Sequence, residues 1–211
     1  MNAIGQKMAK TKVLKIDPER SSDTDIEFAA TILKDGGLVA FPTETVYGIG
    51  ANYLNEKTIK RLYEVKKRPL TKPFTIHISD VDMIKAMNCE ISSFAEKLIE
   101  EFWPGPLTII LKSPEGKLGF RMPKNRIAKD LISKSGVPVA APSANISGEK
   151  PPTSAEDIVK SLDAKIDLII DSGRTEFGKE STIVDTTLFP YKILREGAIS
   201  KEEIERIYSE A

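Results

Sequence analysis

The sequence is short of several residue types, and each shortage excludes something. One cysteine, Cys89, rules out a disulfide framework and a cysteine-rich zinc site. One histidine, His77, rules out a multi-histidine metal centre. Neither charge dominates: Lys+Arg and Asp+Glu are both 31, for a formal net charge of zero. That excludes a globally basic nucleic-acid binder and leaves room for a local basic patch. No apolar run approaches the roughly 20 residues that span a bilayer. The first ten residues, Met1 to Lys10, place no apolar segment behind their charges, so no signal peptide is expected. The expectation is a cytoplasmic protein with no membrane contact. There is no G-x-x-x-x-G-K-[ST] phosphate loop and no G-x-S-x-G elbow. A Ser-His-Asp triad would have to use His77, and nothing around it singles out a nucleophile. No internal repeat, low-complexity tract or Pro/Gly/Ser linker divides the chain.

What is there is 211 residues, 40% hydrophobic and 29% charged, enough for one domain with a proper core. After a loose start over residues 1–11, a single domain is expected over 12–211. Its segments mix the two periodicities. Lys12–Ile16 alternates like a strand. Asp25–Lys34 is helical, with Ile26, Ala29, Ala30 and Leu33 on one face, and Gly36-Gly37 ends it. Leu38–Phe41 reads as a buried strand. A helix opens at Asn55 with Ile59, Leu62 and Tyr63 inward, and Phe74–Ile78 is a strand. Ser93 with Glu96 forms a capping-box pattern, as do Thr153 with Glu156 and Ser200 with Glu203. Strands are expected at 107–111, 137–141, 166–170, 182–185 and 192–194, and a helix at 125–135 closed by Gly136. Strands and helices do not alternate strictly, so the fold class is α/β with a mixed sheet rather than a doubly wound one.

Polar residues collect at strand ends. Phe41-Pro-Thr-Glu-Thr-Val-Tyr-Gly-Ile-Gly-Ala51 puts Thr43, Glu44, Thr45 and Tyr47 after a buried strand, where α/β folds bind ligands. The alternative is a tight strand-to-helix turn. Gly48-Ile-Gly50 lacks the third glycine of a dinucleotide fingerprint, Tyr53 standing in its place. Lys66, Lys67, Arg68 and Lys72 are four cations within seven residues. They complement a helix dipole or hold phosphate and carboxylate groups. Ala141-Pro-Ser-Ala-Asn-Ile-Ser-Gly148 lets backbone N–H groups approach an anion, with Ser143 and Asn145 as side-chain partners. Arg121, the run Gly178–Thr182 and Arg195-Glu-Gly197 complete the set. Alternation places His77 with Thr75, opposite Phe74, Ile76 and Ile78.

Taken together these segments resemble the YrdC-type threonylcarbamoyl-AMP synthases. The resemblance rests on Phe41-Pro-Thr-Glu-Thr-Val-Tyr-Gly48, Lys66-x-Arg68-Pro69, His77, Phe102-Trp-Pro-Gly-Pro-Leu-Thr108 and Arg121-Met-Pro123. It continues through Ser143-Ala-Asn145-x-Ser147-Gly148, Ser181-Thr-x-Val-Asp185 and Leu194-Arg-Glu-Gly197, all in order. It implies the short, single-domain form: a twisted open mixed sheet with flanking helices and a concave basic face. It implies a nucleotidyltransferase that makes threonylcarbamoyl-AMP and pyrophosphate from L-threonine, bicarbonate and ATP. The product feeds the N6-threonylcarbamoyl modification of adenosine 37 in tRNA, through a downstream transferase machinery. By resemblance Thr43, Thr45, His77, Arg121 and Ser181 contact threonine or its carbamate. Ser143, Asn145 and Arg195 contact the nucleotide. Lys66 and Arg68 are expected to carry catalysis by holding phosphates or developing charge, with Lys72 beside them. Lys72 departs from the small polar residue often found there. Mg²⁺ should accompany the triphosphate, held mostly by substrate oxygens rather than by dedicated protein ligands, and no organic cofactor is implied. The competing expectation is an RNA-binding module of the same fold without synthase activity. The YciO-like branch has that character, and it generally lacks the Lys-x-Arg pair and the Ser-Ala-Asn run. A direct contact with tRNA is a further expectation.

Overall fold

The computed structural model describes residues 10–18 and 22–209. Most of the expected loose start, residues 1–9, lies outside the described residues. Thr11 is buried, and its hydroxyl donates to the Ile166 carbonyl at 2.9 Å. The elements are β1 (Lys12–Lys15), α1 (Asp23–Lys34), β2 (Val39–Phe41), β3 (Gly48–Asn52), α2 (Glu56–Lys66), β4 (Ile76–His77), α3 (Asp82–Ala86), α4 (Ser93–Phe102), β5 (Leu107–Ser113), β6 (Gly116–Arg121), α5 (Arg126–Ser135), β7 (Val139–Ala140), α6 (Ala155–Leu162), β8 (Leu168–Asp171), β9 (Thr182–Asp185), β10 (Lys192–Arg195) and α7 (Lys201–Ser209). The strands form one open, twisted sheet in the order β1-β8-β2-β3-β7-β4-β6-β5-β9-β10. Four neighbouring pairs are parallel (β1 with β8, β2 with β8, β4 with β6, β5 with β9) and the other five are antiparallel, so the sheet is mixed as expected.

The two halves of the sheet are covered differently. In the first half, alternation sends Val39 and Phe41 toward α1 and α5, and Leu38 and Ala40 toward α2 and α6. Leu168 and Ile170 part from Ile169 in the same way. Burial on both faces explains the continuous apolar runs. In the second half, Ile76, Phe120, Leu107, Ile109 and Leu111 pack against α3, α4 and α7 on one face. The residues between them, His77, Arg121 and Thr108, point to the other face.

Several elements depart from expectation. The loop after Phe41 does not lead into a helix. It returns as β3, antiparallel to β2, with Phe41 opposite Gly48. Glycines hide this strand, because they carry little β-propensity. Gly50 is there for packing: a Cβ would stand 2.9 Å from the Phe41 ring and 3.0 Å from Val139. β6 and the short α3 were also unforeseen. The helix expected to be capped by Ser93 is capped by Ser92, whose hydroxyl accepts from the Ala95 amide at 3.3 Å. α6 is preceded by Ser154 rather than Thr153. The Ser200–Glu203 box closes in both directions: the Ser200 amide donates to Glu203 Oε2 at 2.8 Å and the Glu203 amide to Ser200 Oγ at 3.3 Å.

Candidate active site: two cavities joined at Arg68

The floor of the site is one row across the sheet. His77 on β4 stands in register with Arg121 on β6, and Thr108 on β5 in register with Ile183 on β9. Thr108 is one residue beyond the Ile109–Phe120 pair, so it lies next to Arg121. All four line an inner cavity of about 110 Å³. Its walls are the β2–β3 turn (Thr43, Thr45), Phe74 and Thr75, Ser143, and the Glu180–Ser181 and Arg195 segments.

Each inner side chain is held by a neighbour. Arg121 and Glu44 form an ion pair at 2.8 Å with both side chains almost fully buried, and Arg121 Nε also donates to the Gly105 carbonyl at 3.2 Å. Glu44 accepts in addition from the Lys124 and Asn125 amides, at 3.1 and 3.4 Å. Glu44 is therefore the counter-charge that makes a buried Arg121 tolerable, not a free ligand. Burial pulls the Arg121 guanidinium below its ordinary value and the Glu44 charge opposes that shift. Thr43 and Thr45 share a hydrogen bond at 2.9 Å, and Thr43 Oγ1 donates to the Val46 carbonyl at 2.7 Å. Ser181 and Thr108 share another at 2.9 Å. His77 is the exception. It is 3% exposed, and its Nδ1 has no partner among the described residues. Burial first, and the Arg121 charge second, hold the imidazole well below its ordinary value, so it is neutral at pH 7.

Gly197 builds the third wall. A Cβ there would stand 2.2 Å from the Glu180 carbonyl oxygen, so only glycine lets this segment lie against residues 180–182. That approach places Arg195 Nη1 2.6 Å from Glu180 Oε1, with Nε donating to the Ser181 carbonyl at 3.0 Å and Nη2 to Ser181 Oγ at 3.2 Å.

The four cations of the basic segment part company. Lys67 is the left-handed C-cap of α2 and is exposed, so it alone fits a simple complement to the helix dipole. Lys66 turns inward, and its ammonium donates to the Ser143 and Asn145 carbonyls, at 2.6 Å for the latter. Arg68 folds back over the Phe74 ring, 5.3 Å from its centroid, and donates to the Lys72 and Pro73 carbonyls at 2.8 and 3.0 Å. No carboxylate lies within ion-pair distance of Arg68 among the described residues. Lys72 is exposed. Lys66, Arg68, Lys72, Ser143 and Asn145 border an outer cavity of about 310 Å³, together with Ser147, Gly148 and Glu180. Arg68, Ser143 and Glu180 belong to both cavities.

The eleven side chains singled out in the sequence thus all border one of two adjoining cavities. Tyr47 borders the inner cavity as well, but its hydroxyl is taken: it donates to the Gly173 carbonyl at 2.7 Å and accepts from the Ser172 amide. Thr108 and Glu180 stand out in the sequence only as parts of longer motifs. The signal for Thr108 was available, a lone hydroxyl between Leu107 and Ile109 in a buried strand. Among the described residues, no group of three or more His, Cys, Asp or Glu side chains converges on a metal position. Glu180 is the one carboxylate that borders both cavities.

A family model named for Sua5, YciO and YrdC, with the description "Telomere recombination", matches residues 31–197. The chain belongs to this family. It is 45% identical over 202 residues to a threonylcarbamoyl-AMP synthase of Pyrococcus abyssi, covering 91% of this chain and 59% of that protein. The crystal structure of P. abyssi Sua5 complexed with L-threonine superposes with a TM-score of 0.90 at 43% identity, covering 93% of this chain and 61% of that one. E. coli YciO superposes with a TM-score of 0.84 at 25% identity, covering 92% of this chain and 99% of that one. The chain therefore spans about three fifths of the length of the longer Sua5-type relatives. No helix among the described residues is long and apolar enough to cross a membrane.

Proposed function

We propose that the two cavities form the active site of a threonylcarbamoyl-AMP synthase, acting on L-threonine, bicarbonate and ATP. The observation that carries this reading is the half-buried Arg68 guanidinium, which has no carboxylate partner among the described residues and lies at the junction of a small hydroxyl-rich cavity and a larger cationic one. The naming of the P. abyssi relative and its complex with threonine support it. So does the donor set. The inner cavity offers the Arg121 guanidinium for a carboxylate, a neutral imidazole, and hydroxyls that include those of Thr43, Thr45, Thr108 and Ser181, which suits a small hydroxy amino acid.

In this reading threonine occupies the inner cavity, with Arg121 on its carboxylate and His77, Thr43, Thr45 and Ser181 around its polar groups. Its amine and bicarbonate combine to a carbamate with loss of water. A carbamate oxygen then attacks the α-phosphorus of ATP, the bond from that phosphorus to the bridging oxygen breaks, and pyrophosphate leaves. The protein needs no covalent intermediate; it supplies positioning and fixed charge. Arg68 stands where the carbamate and the α-phosphate must meet. Arg195 reaches the same junction from β10, and Lys72 lies at the open rim. Mg²⁺ is expected with the triphosphate, where it would neutralise phosphate charge. The donor set fits a cation held mainly by substrate oxygens, with Glu180 bordering both cavities and Glu149 bordering the outer one as the protein carboxylates at hand.

The test is pyrophosphate release from ATP with threonine and bicarbonate present, each omitted in turn, and no RNA added. Release that needs all three supports the synthase. Release that ignores threonine, or no release at all, rejects it.

A further inference from the structure

Helix α2 ends on a lysine turned into the protein. Lys66 is 1% exposed, and its ammonium donates to two carbonyls of one turn, those of Ser143 and Asn145. Its own carbonyl accepts from the Ser147 amide at 2.9 Å. One residue therefore ties down Ser143–Ser147 by three bonds. No carboxylate pairs with the ammonium among the described residues. Its charge is compensated by carbonyl dipoles instead, and burial, then the Arg68 charge, pull it down to about 8.

The turn it grips carries two unsatisfied groups. Asn145 Nδ2 donates to the Ile146 and Glu149 carbonyls at 3.0 and 2.7 Å, which fixes the amide and leaves Oδ1 buried without a partner among the described residues. Ser147 Oγ is also buried and unpartnered. Both residues border the outer cavity. A lone amide oxygen accepts hydrogen bonds and cannot bind a phosphate oxygen, which is itself an acceptor; its partner must be a hydroxyl or amino hydrogen. A nucleotide carries such hydrogens on its ribose and base.

We propose that Lys66 is a positioning residue that latches the Ser143–Ser147 turn so that Asn145 and Ser147 meet the nucleoside part of the nucleotide, leaving the phosphates to Arg68 and Arg195. This rests on the nucleotide reading above, and it assigns Lys66 a different task from its sequence neighbour Arg68. Phosphate binding and latching separate by counting phosphates. A lost phosphate contact weakens ATP more than AMP and leaves adenosine alone. A lost latch weakens all three alike.

The experiment is calorimetric binding of adenosine, AMP and ATP to the wild type, Lys66→Met and Arg68→Ala, with hydrogen exchange measured on the 143–147 amides. For Lys66→Met the expected loss is roughly tenfold or more for each ligand, from the two charged hydrogen bonds removed. Faster exchange in the turn and unchanged threonine affinity should accompany it. For Arg68→Ala the loss should grow from adenosine to ATP. A Lys66→Met loss that grows with phosphate number, or an unchanged exchange rate, overturns the latch. If Lys66→Met does not fold, Lys66→Gln keeps an uncharged amide donor group and is judged by the same two criteria. If the wild type binds none of the three ligands, the functional reading fails, and hydrogen exchange alone decides the latch.

Discussion

The inner and outer cavities share Arg68, Ser143 and Glu180 but are built in opposite ways. The inner one stands on four neighbouring strands, and the two cations that it does not share with the outer one are paired before any ligand arrives: Arg121 by Glu44, Arg195 by Glu180. The outer one is made of a helix end and two loops, with Lys72 exposed and two buried polar atoms left unpaired on its rim. The difference separates two tasks. A rigid, pre-paired pocket discriminates by shape, because any misfit leaves a buried polar group unsatisfied. A cationic rim holds a flexible polyanion by charge and tolerates small displacements.

The largest effect should come from unbalancing the inner pocket. Glu44→Ala leaves the Arg121 charge buried and unpaired, and should cost about 3–5 kcal/mol of stability, on the order of 10 °C in Tm. Glu180→Ala removes the partner of Arg195, but both side chains are about a third exposed, at 37% and 34%. Solvent screens that pair, and its loss should cost no more than about 1 kcal/mol. Denaturant unfolding of the two variants checks the contrast. Equal losses would mean that the inner pocket is no more rigidly built than its wall.

Arg68→Ala should do the reverse. The side chain bonds only to carbonyls of its own loop, so Tm should change little. Turnover should fall by about 10²–10³, the usual consequence of removing a charge or donor aimed at the transition state. A large drop in Tm with proportionate loss of activity would return Arg68 to a structural role.

The sequence made much of this legible, and where it failed the reasons are physical. The α1 face (Ile26, Ala29, Ala30, Leu33) and the helix ends at Asn55 and Gly136 follow from periodicity and local hydrogen bonding and stand as expected, while Asn125, expected as the first residue of its helix, is its N-cap. β3 was missed because its two glycines carry little strand signal, and Gly50 stands there for close packing against Phe41, which strand propensity does not register. The site residues could be collected from their strand-end positions, but their partners could not. The Arg121–Glu44 pair joins residues 77 apart in sequence, and Arg195 meets Ser181 only because Gly197 admits the close approach. The direction of Lys66 was half legible. Its seven-residue spacing from Ile59 puts it on the inward face of α2, yet nothing local says that two carbonyls wait for it there.

His77→Ala sharpens the comparison within the inner pocket. Its imidazole is the one group there with a free buried nitrogen, so a ligand in that pocket should depend on it. The expected result is a rise in the threonine KM corresponding to about 1.5–3 kcal/mol, the range for a hydrogen bond to a charged group, with the ATP KM nearly unchanged. Equal effects on both substrates would mean that the two cavities are not separate subsites.

The smallest effect is a pH dependence of stability from the same residue. In the unfolded chain His77 titrates near its ordinary 6.5; in the folded protein burial and Arg121 hold it well below that. As pH falls through 6.5 the unfolded chain takes up a proton that the folded one refuses, so stability drops with falling pH. Above 6.5 neither state is protonated at this site and the contribution is constant. One proton sets the steepest slope, about 1.4 kcal/mol per pH unit. Asp185, Glu203 and Asp157 are held below their ordinary values as well, but they contribute only further toward the carboxylate range. Between pH 6.5 and 5 the decline should therefore belong mainly to His77. Denaturant unfolding of the wild type and His77→Gln across that interval isolates it: the wild-type curve should fall and the variant's should be flatter. Parallel curves would show that the histidine takes up a proton in the folded state, which would in turn remove the neutral imidazole from the inner pocket.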